Sequence, residues 1–443
     1  MPGASSARPA RACGASGVSG ARAVAAAPRL EFAAAAWYAR GMRPKTTVRF
    51  DARSFADLAR TVRVRSETRR LLESDPSGAT PLPLEVSLQL TYRCNLRCDH
   101  CYQWNEQGFF RAYDAERQRA ELDLEIAARV LAETEEVRAK LFLWGGEPLM
   151  YSRFPELAAL LEDTPRTVNL CTNGLLMKER AADLFRIGRG LNVLVSVDGP
   201  EEAHDALRGR GTFVRTAAAV EWLLEARRRG DFRGEVTLLS MVADGTAGRL
   251  YETAEWAERL GVSSLYFQLP WYISPQTAAA MDARYAAELA WLNPPPAPGR
   301  ATWHSYSYRL SEDVLPALAR ERARVAARAW SIRLRYQPEV SDGELADFAR
   351  GTDRPAQGKS RCLAVSNRME VHADGNVSSC KFFPEFVVGS LRGAPVREVW
   401  QSARFRRVRE VVQRGGLFPV CSRCILLYLN GDESRTGGTA IAG

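Results

Sequence analysis

The sequence predicts an α/β fold: strand–helix units arranged as a partial (β/α) barrel or an open α/β sheet, followed by a small module of different texture. Three observations predict it. Strand-like runs alternate with helical patterns from about residue 84 to about residue 270. A group of three cysteines directly follows the first of those strands. Beyond residue 353 the chain becomes richer in Gly and Cys and shorter in period, as in a hairpin-plus-helix module.

The first strand is expected over residues 84–91, where apolar and polar residues alternate. Further short runs lie at 140–144, 167–171, 192–197, 235–242 and 263–269. Between them, Leu124, Ala127, Ala128 and Leu131 share one helix face, Ala217, Val220, Leu223 and Leu224 share another, and residues 250–260 read as a third helix. Alternation of this kind implies parallel strands joined by right-handed crossovers. Residues 293–299, Asn-Pro-Pro-Pro-Ala-Pro-Gly, punctuate the chain, and helical segments follow near 311–329. The expected organisation is a tail over 1–45, a helical extension over 46–83, a core over 84–295, a helical linker over 296–352, the Cys-rich module over 353–430 and a tail over 431–443.

Composition sets the outer limits. The chain has 443 residues and a formal charge of +9. Residues 1–45 hold seven Lys/Arg and one acidic residue, so most of the charge belongs to that segment. The rest lacks the clustered basic face that nucleic-acid binding demands. No apolar run is long enough for a membrane span. The Ala/Gly/Arg/Ser-rich start reads as a disordered tail, with a transit peptide or a true start at Met42 as the other readings. Of the 61 basic residues only five are Lys, a bias that fits a GC-rich genome and a start site placed too far upstream. Seven of the nine cysteines fall into two groups. In a long chain without a secretory signal, that pattern favours metal or redox chemistry in a reducing cytoplasm over a disulfide framework. Cys13, in the tail, is expected to be inert.

The first group is Cys94, Cys98 and Cys101 in a CxxxCxxC loop. Three thiolates in one loop ligate three irons of a cubane cluster and leave a fourth open. With His100 as a fourth ligand the same loop also suits structural zinc. Downstream strand ends carry Gly145-Gly146-Glu147-Pro148, then Thr172-Asn173-Gly174, then Ser196-Val197-Asp198-Gly199-Pro200 followed by His204-Asp205 and Arg208-Gly209. Taken alone, each is a turn. In this order, after this loop, they resemble the radical S-adenosylmethionine (SAM) superfamily.

That resemblance covers about residues 84–270 and implies a partial (β/α)6 radical SAM barrel. It implies a [4Fe-4S] cluster on Cys94, Cys98 and Cys101, with SAM on the open iron cleaved to methionine and a 5′-deoxyadenosyl radical. It assigns Gly145, Gly146, Glu147 and Pro148 to the SAM amino group and places Asn173 in the cofactor site. It puts Ser196 and Asp198 on one strand face for the ribose, and Arg208 on the SAM carboxylate. Cys171, at the end of the third strand, is either a small buried hydrophobe or a hydrogen-atom donor to a substrate radical.

The second group is C-x12-G-x4-C over Cys362, Gly375 and Cys380, then Cys421-Ser422-Arg423-Cys424. Four thiolates close one site, and spacing alone divides evenly between zinc and an iron–sulfur cluster. With Gly389-Ser390-Leu391 and Val399-Trp400 between them, they resemble the twitch or SPASM modules that follow radical SAM barrels. Four cysteines rather than about seven imply one auxiliary cluster of [4Fe-4S] type, for electron transfer or for ordering the substrate.

The resemblance implies an enzyme that abstracts a substrate hydrogen and takes electrons from a flavodoxin- or ferredoxin-type donor. The expected substrate is a small molecule, such as a sugar, an aminocyclitol or a related metabolite of natural-product biosynthesis, since residues 46–83 are too short for a leader-binding domain. The alternative is a maturase acting on a ribosomal precursor peptide, and the remote one a zinc-binding scaffold. Trp271, Tyr272, Trp291, Trp303, Tyr306 and Tyr308 are core aromatics by default, some of them candidates for a substrate pocket.

Overall fold

The computed structural model describes residues 45–49 and 52–433. The expectations for Cys13, Met42 and the rest of the N-terminal tail, and for residues 434–443, lie outside the described residues. The six expected strands are present as β1 (Glu85–Gln89), β2 (Lys140–Trp144), β3 (Val168–Thr172), β4 (Leu191–Ser196), β5 (Glu235–Met241) and β6 (Ser264–Gln268). They pair in parallel in chain order. Helices Leu124–Glu133, Phe154–Asp163, Ala181–Ile187, Thr212–Arg229 and Leu250–Leu260 cross between them.

Alternation along each strand sorts side chains by face. Val86, Leu88, Leu141, Leu143, Val193 and Val195 are fully buried under the crossover helices. The intervening residues, such as Gln89, Trp144, Cys171 and Ser196, turn to the other face. The sheet's second face therefore lines a lumen of mixed polar and aromatic character rather than a second close-packed apolar core.

Among the described residues the sheet has ten strands: β7 (Arg333–Gln337) follows β6, and β9 (Arg368–Val371), β10 (Asn376–Ser378) and β11 (Val387–Ser390) extend it beyond β1, giving the order β11-β10-β9-β1-β2-β3-β4-β5-β6-β7. Two additions extend it beyond the six expected strands. The segment read as a helical linker, 296–352, contains helix Leu315–Ala326 but also β7 (Arg333–Gln337), which pairs in parallel with β6. Its sequence Arg-Leu-Arg-Tyr-Gln reads as polar because one of its faces lines the lumen. Downstream come β8 (Lys359–Cys362), β9 (Arg368–Val371), β10 (Asn376–Ser378), β11 (Val387–Ser390) and β12 (Gly431–Glu433). Strand β9 adds in parallel to the free edge of β1, so the Cys-rich module continues the barrel sheet. Residues 431–433, read as the start of a tail, form β12 and pair with β8 through Gly431 and Cys362.

The helical extension is helix Ala52–Ser74. Its Arg69 holds Asp432 on β12 through Nε at 2.8 Å and Nη2 at 2.5 Å.

Leu88 sits at the centre of the sheet with no exposed surface. Leu88→Ala is expected to cost about 2–5 kcal/mol, the range for a buried leucine cavity. Val214→Ala, on an exposed helix position, should stay within about 0.5 kcal/mol of the parent. Thermal unfolding followed by circular dichroism under anaerobic conditions compares the two.

Candidate active site

The lumen holds a cavity of about 650 Å³. Its walls are the inward residues of β1–β7 and β9, the first cysteine loop, and the segments around Trp271 and Tyr306. Cys94, Cys98 and Cys101 all border it. Their loop is fixed by its own backbone: Cys101 N–H donates to Cys98 O (3.0 Å) and Asp99 N–H to Leu207 O (2.9 Å). Trp104 Nε1 donates to Tyr92 O (2.8 Å), and the Arg97 guanidinium lies 4.2 Å above the Trp104 ring. Burial pushes all three thiols up, Cys98 to about 11, where the Arg208 charge works against the rise. A positive multi-iron core that replaces the protons relieves that cost.

Gly145 and Gly146 line the cavity and also make close contacts within the chain. A Cβ on Gly145 would collide with Thr91 O, and one on Gly146 with Arg93 O. Without side chains, Gly146 N–H reaches Thr91 O (2.8 Å) and Glu147 N–H reaches Arg93 O (2.7 Å). The glycines thus clamp the β2 loop onto the root of the cysteine loop.

Glu147 is 1% exposed and opens a short turn with Pro148 behind it. Its Oε1 accepts from Thr172 Oγ1 (2.7 Å) and Leu149 N–H (3.1 Å), and its Oε2 from Asn173 N–H (2.8 Å). Burial pushes the carboxyl up to about 6 against those bonds, and no cation pairs with it among the described residues. A buried carboxylate on a cavity wall, oriented by three donors and lacking a counter-charge, fits the ammonium of an amino acid. Asn173 Nδ2 also donates to Asn95 Oδ1 (2.8 Å), which ties the third strand end to the cysteine loop.

Ser196 lines the cavity. Asp198 does not share that position, contrary to the expectation for the pair. It lies past the end of β4 with no exposed surface, accepting from Arg208 Nε (2.6 Å) and Met241 N–H (2.8 Å). Burial drives its carboxyl up, and the Arg208 charge more than offsets this, holding it below the usual range. A buried carboxylate needs such a partner. Arg208 is correspondingly committed: two nitrogens face Asp198 and a third lies 3.9 Å from Cys98 Sγ. The guanidinium stands beside the cysteine loop as a fixed charge rather than as a free fork for a carboxylate.

His100 lies 3.3 Å from Arg208 through Nε2, and burial lowers it to about 4, so the ring is neutral. Cys171 faces the lumen half-buried, its thiol pushed to about 11 by burial and so protonated at neutral pH.

Cys362, Cys380, Cys421 and Cys424 line one apolar cavity with Phe383 and Phe418. Burial raises all four thiols, and neighbouring cysteines raise Cys380, Cys421 and Cys424 further. The hairpin between β9 and β10 turns at Gly375, whose φ of +79° suits glycine. Among the described residues no three Cys, His, Asp or Glu side chains converge tightly enough for a single metal ion. The first cysteine group borders the lumen cavity and the second a smaller one.

Of the six aromatics singled out in the sequence, Trp271, Tyr306 and Tyr308 line the cavity. Trp303 is core, bound through Nε1 to Asp282 Oδ1 (2.7 Å). Sequence reasoning missed Tyr102, which stacks on Tyr306 with ring centroids 4.3 Å apart. It also missed Phe142, Trp144, Arg368 and Lys381 on the lumen wall. Their only signal was position: inward places on β2 and β9, and the residue after Cys380.

The Gly146 clamp makes a sharp prediction. Gly146→Ala should fold but lose iron from the first site alone, about half the total if each cysteine group holds a four-iron cluster. Iron per chain after anaerobic reconstitution measures this.

Comparisons with known proteins agree with this geometry. Residues 88–257 match the radical SAM superfamily, and residues 362–425 match the SPASM iron–sulfur cluster-binding domain. The AdoMet-dependent heme synthase of Methanosarcina barkeri is 27% identical over 348 residues, which span 77% of this chain and 89% of the relative. The mycofactocin maturase MftC of Mycobacterium ulcerans is 24% identical over 363 residues, spanning 80% and 83%. The sporulation killing factor maturation protein SkfB of Bacillus subtilis is 30% identical over 146 residues, about a third of each chain. In fold, the chain resembles Streptococcus suis SuiB bound to S-adenosylmethionine, with TM-score 0.52, 11% identity, and coverage of 86% of this chain and 77% of that one. Two matched modules, in the order and at the strand ends the cysteine groups occupy, place this chain in the radical SAM superfamily as an enzyme with a C-terminal SPASM-type iron–sulfur domain.

Proposed function

We propose that this enzyme generates a substrate radical on a small organic molecule held inside the barrel lumen. In this reading Cys94, Cys98 and Cys101 hold the SAM-binding [4Fe-4S] cluster, and Cys362, Cys380, Cys421 and Cys424 hold one auxiliary cluster. When bound, cluster and SAM together supply the 5′-deoxyadenosyl radical that takes a substrate hydrogen. The protein's own residues position and exclude. Glu147 receives the SAM ammonium, with Gly145, Gly146 and Pro148 fixing its turn. Asn173 and Ser196 face the nucleoside. Asp198 holds Arg208 beside Cys98, where the guanidinium offsets the negative charge of the thiolates. Cys171, protonated and facing the lumen, is placed to return a hydrogen atom, or else to fill space as a small apolar side chain.

The observation that carries the small-molecule reading is that the lumen cavity of about 650 Å³ is shared with the cysteine loop and with Glu147, Asn173 and Ser196, so cluster and SAM take up part of it and the remaining space suits a small ligand. The heme synthase relative, aligned over 89% of its length, favours the same reading. A peptide substrate is the second reading, favoured by the alignment with the maturase MftC over 83% of its length. An exogenous one-electron donor, such as a flavodoxin or ferredoxin, completes the scheme.

The test is SAM cleavage under anaerobic conditions with dithionite. The reconstituted chain should bind about eight irons and form 5′-deoxyadenosine, and Cys98→Ala should abolish that product. Low-mass filtrate of a host extract should stimulate cleavage; stimulation confined to the peptide-containing retentate supports the maturase reading instead. Glu147 adds a pH signature. Its buried carboxyl titrates at about 6, so it is anionic above that pH and loses its charge as the pH falls through it. SAM affinity measured by calorimetry should therefore fall below about pH 6, and Glu147→Gln should weaken binding at neutral pH and flatten the profile.

A further inference from the structure

Two cations on the lumen wall have no task in the scheme above. Arg368, at the start of β9, is 7% exposed and lines the cavity. Its Nη1 pairs with Glu85 on β1, while Nε and Nη2 have no hydrogen-bond partner among the described residues. Lys381, 9% exposed, follows Cys380 and lines the same cavity. Its Nζ sits 3.6 Å from the Phe142 ring centroid and 4.9 Å from that of Trp144, and forms no ion pair among the described residues. The Arg368 guanidinium lies 5.7 Å from the same Phe142 ring, so both charges flank one aromatic face.

The acids nearby are Glu85 and Glu370. Glu85 is taken by Arg368 Nη1. Glu370 Oε1 is taken by Ser87 Oγ (3.0 Å) and Trp144 Nε1 (2.7 Å); its buried Oε2 has no hydrogen-bond partner among the described residues, and burial pushes the carboxyl up to about 7 against the charges of Lys381 and Arg368, so it offsets them only in part. Lys140 on β2 and Arg335 on β7 also line the cavity, as does Asp57. Buried N–H donors left without acceptors are costly, and structures keep them where a ligand supplies the acceptor. Two adjacent cations, one of them a planar fork with two free nitrogens, match a carboxylate.

We propose that Arg368 and Lys381 anchor a carboxylate of the substrate, so that the enzyme acts on carboxylic acids. The inference rests on the lumen being the substrate site. The carboxylate belongs either to a small metabolite or to a peptide terminus or side chain; the chemistry of recognition is shared. Arg368 faces Glu85 at the first residue of β1, and the cysteine loop follows the last, so roughly 13 Å of strand separates their levels. The anchored group is therefore remote from the reacting carbon, and its binding serves orientation rather than bond breaking.

The cations also border the auxiliary cysteine cavity, which offers a competing role in balancing the charge of that cluster. Calorimetry on the full, anaerobically reconstituted chain separates the two, using 3-phenylpropionate and its uncharged amide as probes. The acid should bind at least tenfold tighter than the amide. Arg368→Gln and Lys381→Gln should each bring that ratio close to one with iron content unchanged, and Lys381→Arg should retain it. N-acetyl-dipeptide acids measured beside the arylpropionate distinguish the two sources. Equal binding of acid and amide, no heat from the acid at millimolar concentration, or a preference that survives in both Gln variants overturns the proposal. So does loss of iron in those variants with no acid preference in the parent, which assigns the cations to the cluster. 5′-Deoxyadenosine formation by the same parent preparation shows whether the radical reading itself has failed, independently of the probes.

Discussion

Everything in this molecule is hung on the two-sided pairing of β1. One edge meets β2 and the other meets β9, both in parallel. On the lumen face, successive β1 side chains each bind a β9 partner: Glu85 to Arg368, Ser87 to Glu370 and Gln89 to His372. These are polar rungs in a buried place, and each satisfies a group that would otherwise be costly to bury. The ladder fixes the height of β9 against β1. It thereby fixes the second cysteine group against the loop that leaves the top of β1.

The space between the two groups is filled rather than open. Tyr102, next to Cys101, stacks on Tyr306, whose hydroxyl donates to Phe382 O (3.1 Å), two residues beyond Cys380. Trp271 packs against Tyr102 and Phe382 with centroids at 5.9 Å and 4.7 Å. Tyr102, Trp271 and Tyr306 also border the lumen cavity, so this packing forms part of its wall beside the first cysteine group. Burial, not any single partner, is the leading influence on nearly every ionisable group nearby, from Glu147 to Cys424.

The sequence made the fold legible where its chemistry and its period coincided. Strands β1 to β6 alternate aliphatic and polar residues, and their ends carry the motifs that name the site. What escaped was legible only through long-range pairing. Strand β7 is short and reads Arg-Leu-Arg-Tyr-Gln, and β9 reads Arg-Met-Glu-Val. Charged residues in a buried strand contradict the usual pattern unless a polar lumen and a complementary partner are already known. Gly145 and Gly146 were visible as residues but not as a clamp, since their need for smallness comes from Thr91 and Arg93. Asp198 and Arg208 were both visible, yet only burial reveals that they satisfy each other first.

The pairing of β1 with β9 also sets the order in which the chain can be made. Ser87 and Glu370 are 283 residues apart. On the ribosome, at roughly 5–20 residues per second, β1 waits tens of seconds with one edge unpaired. An exposed edge on an aliphatic strand is a template for pairing with another chain. The barrel motifs at 88–257 are synthesised early, but the sheet they belong to closes late, after the hairpin that bears Cys380 has emerged. Expression as a truncated barrel would make that transient edge of β1 permanent.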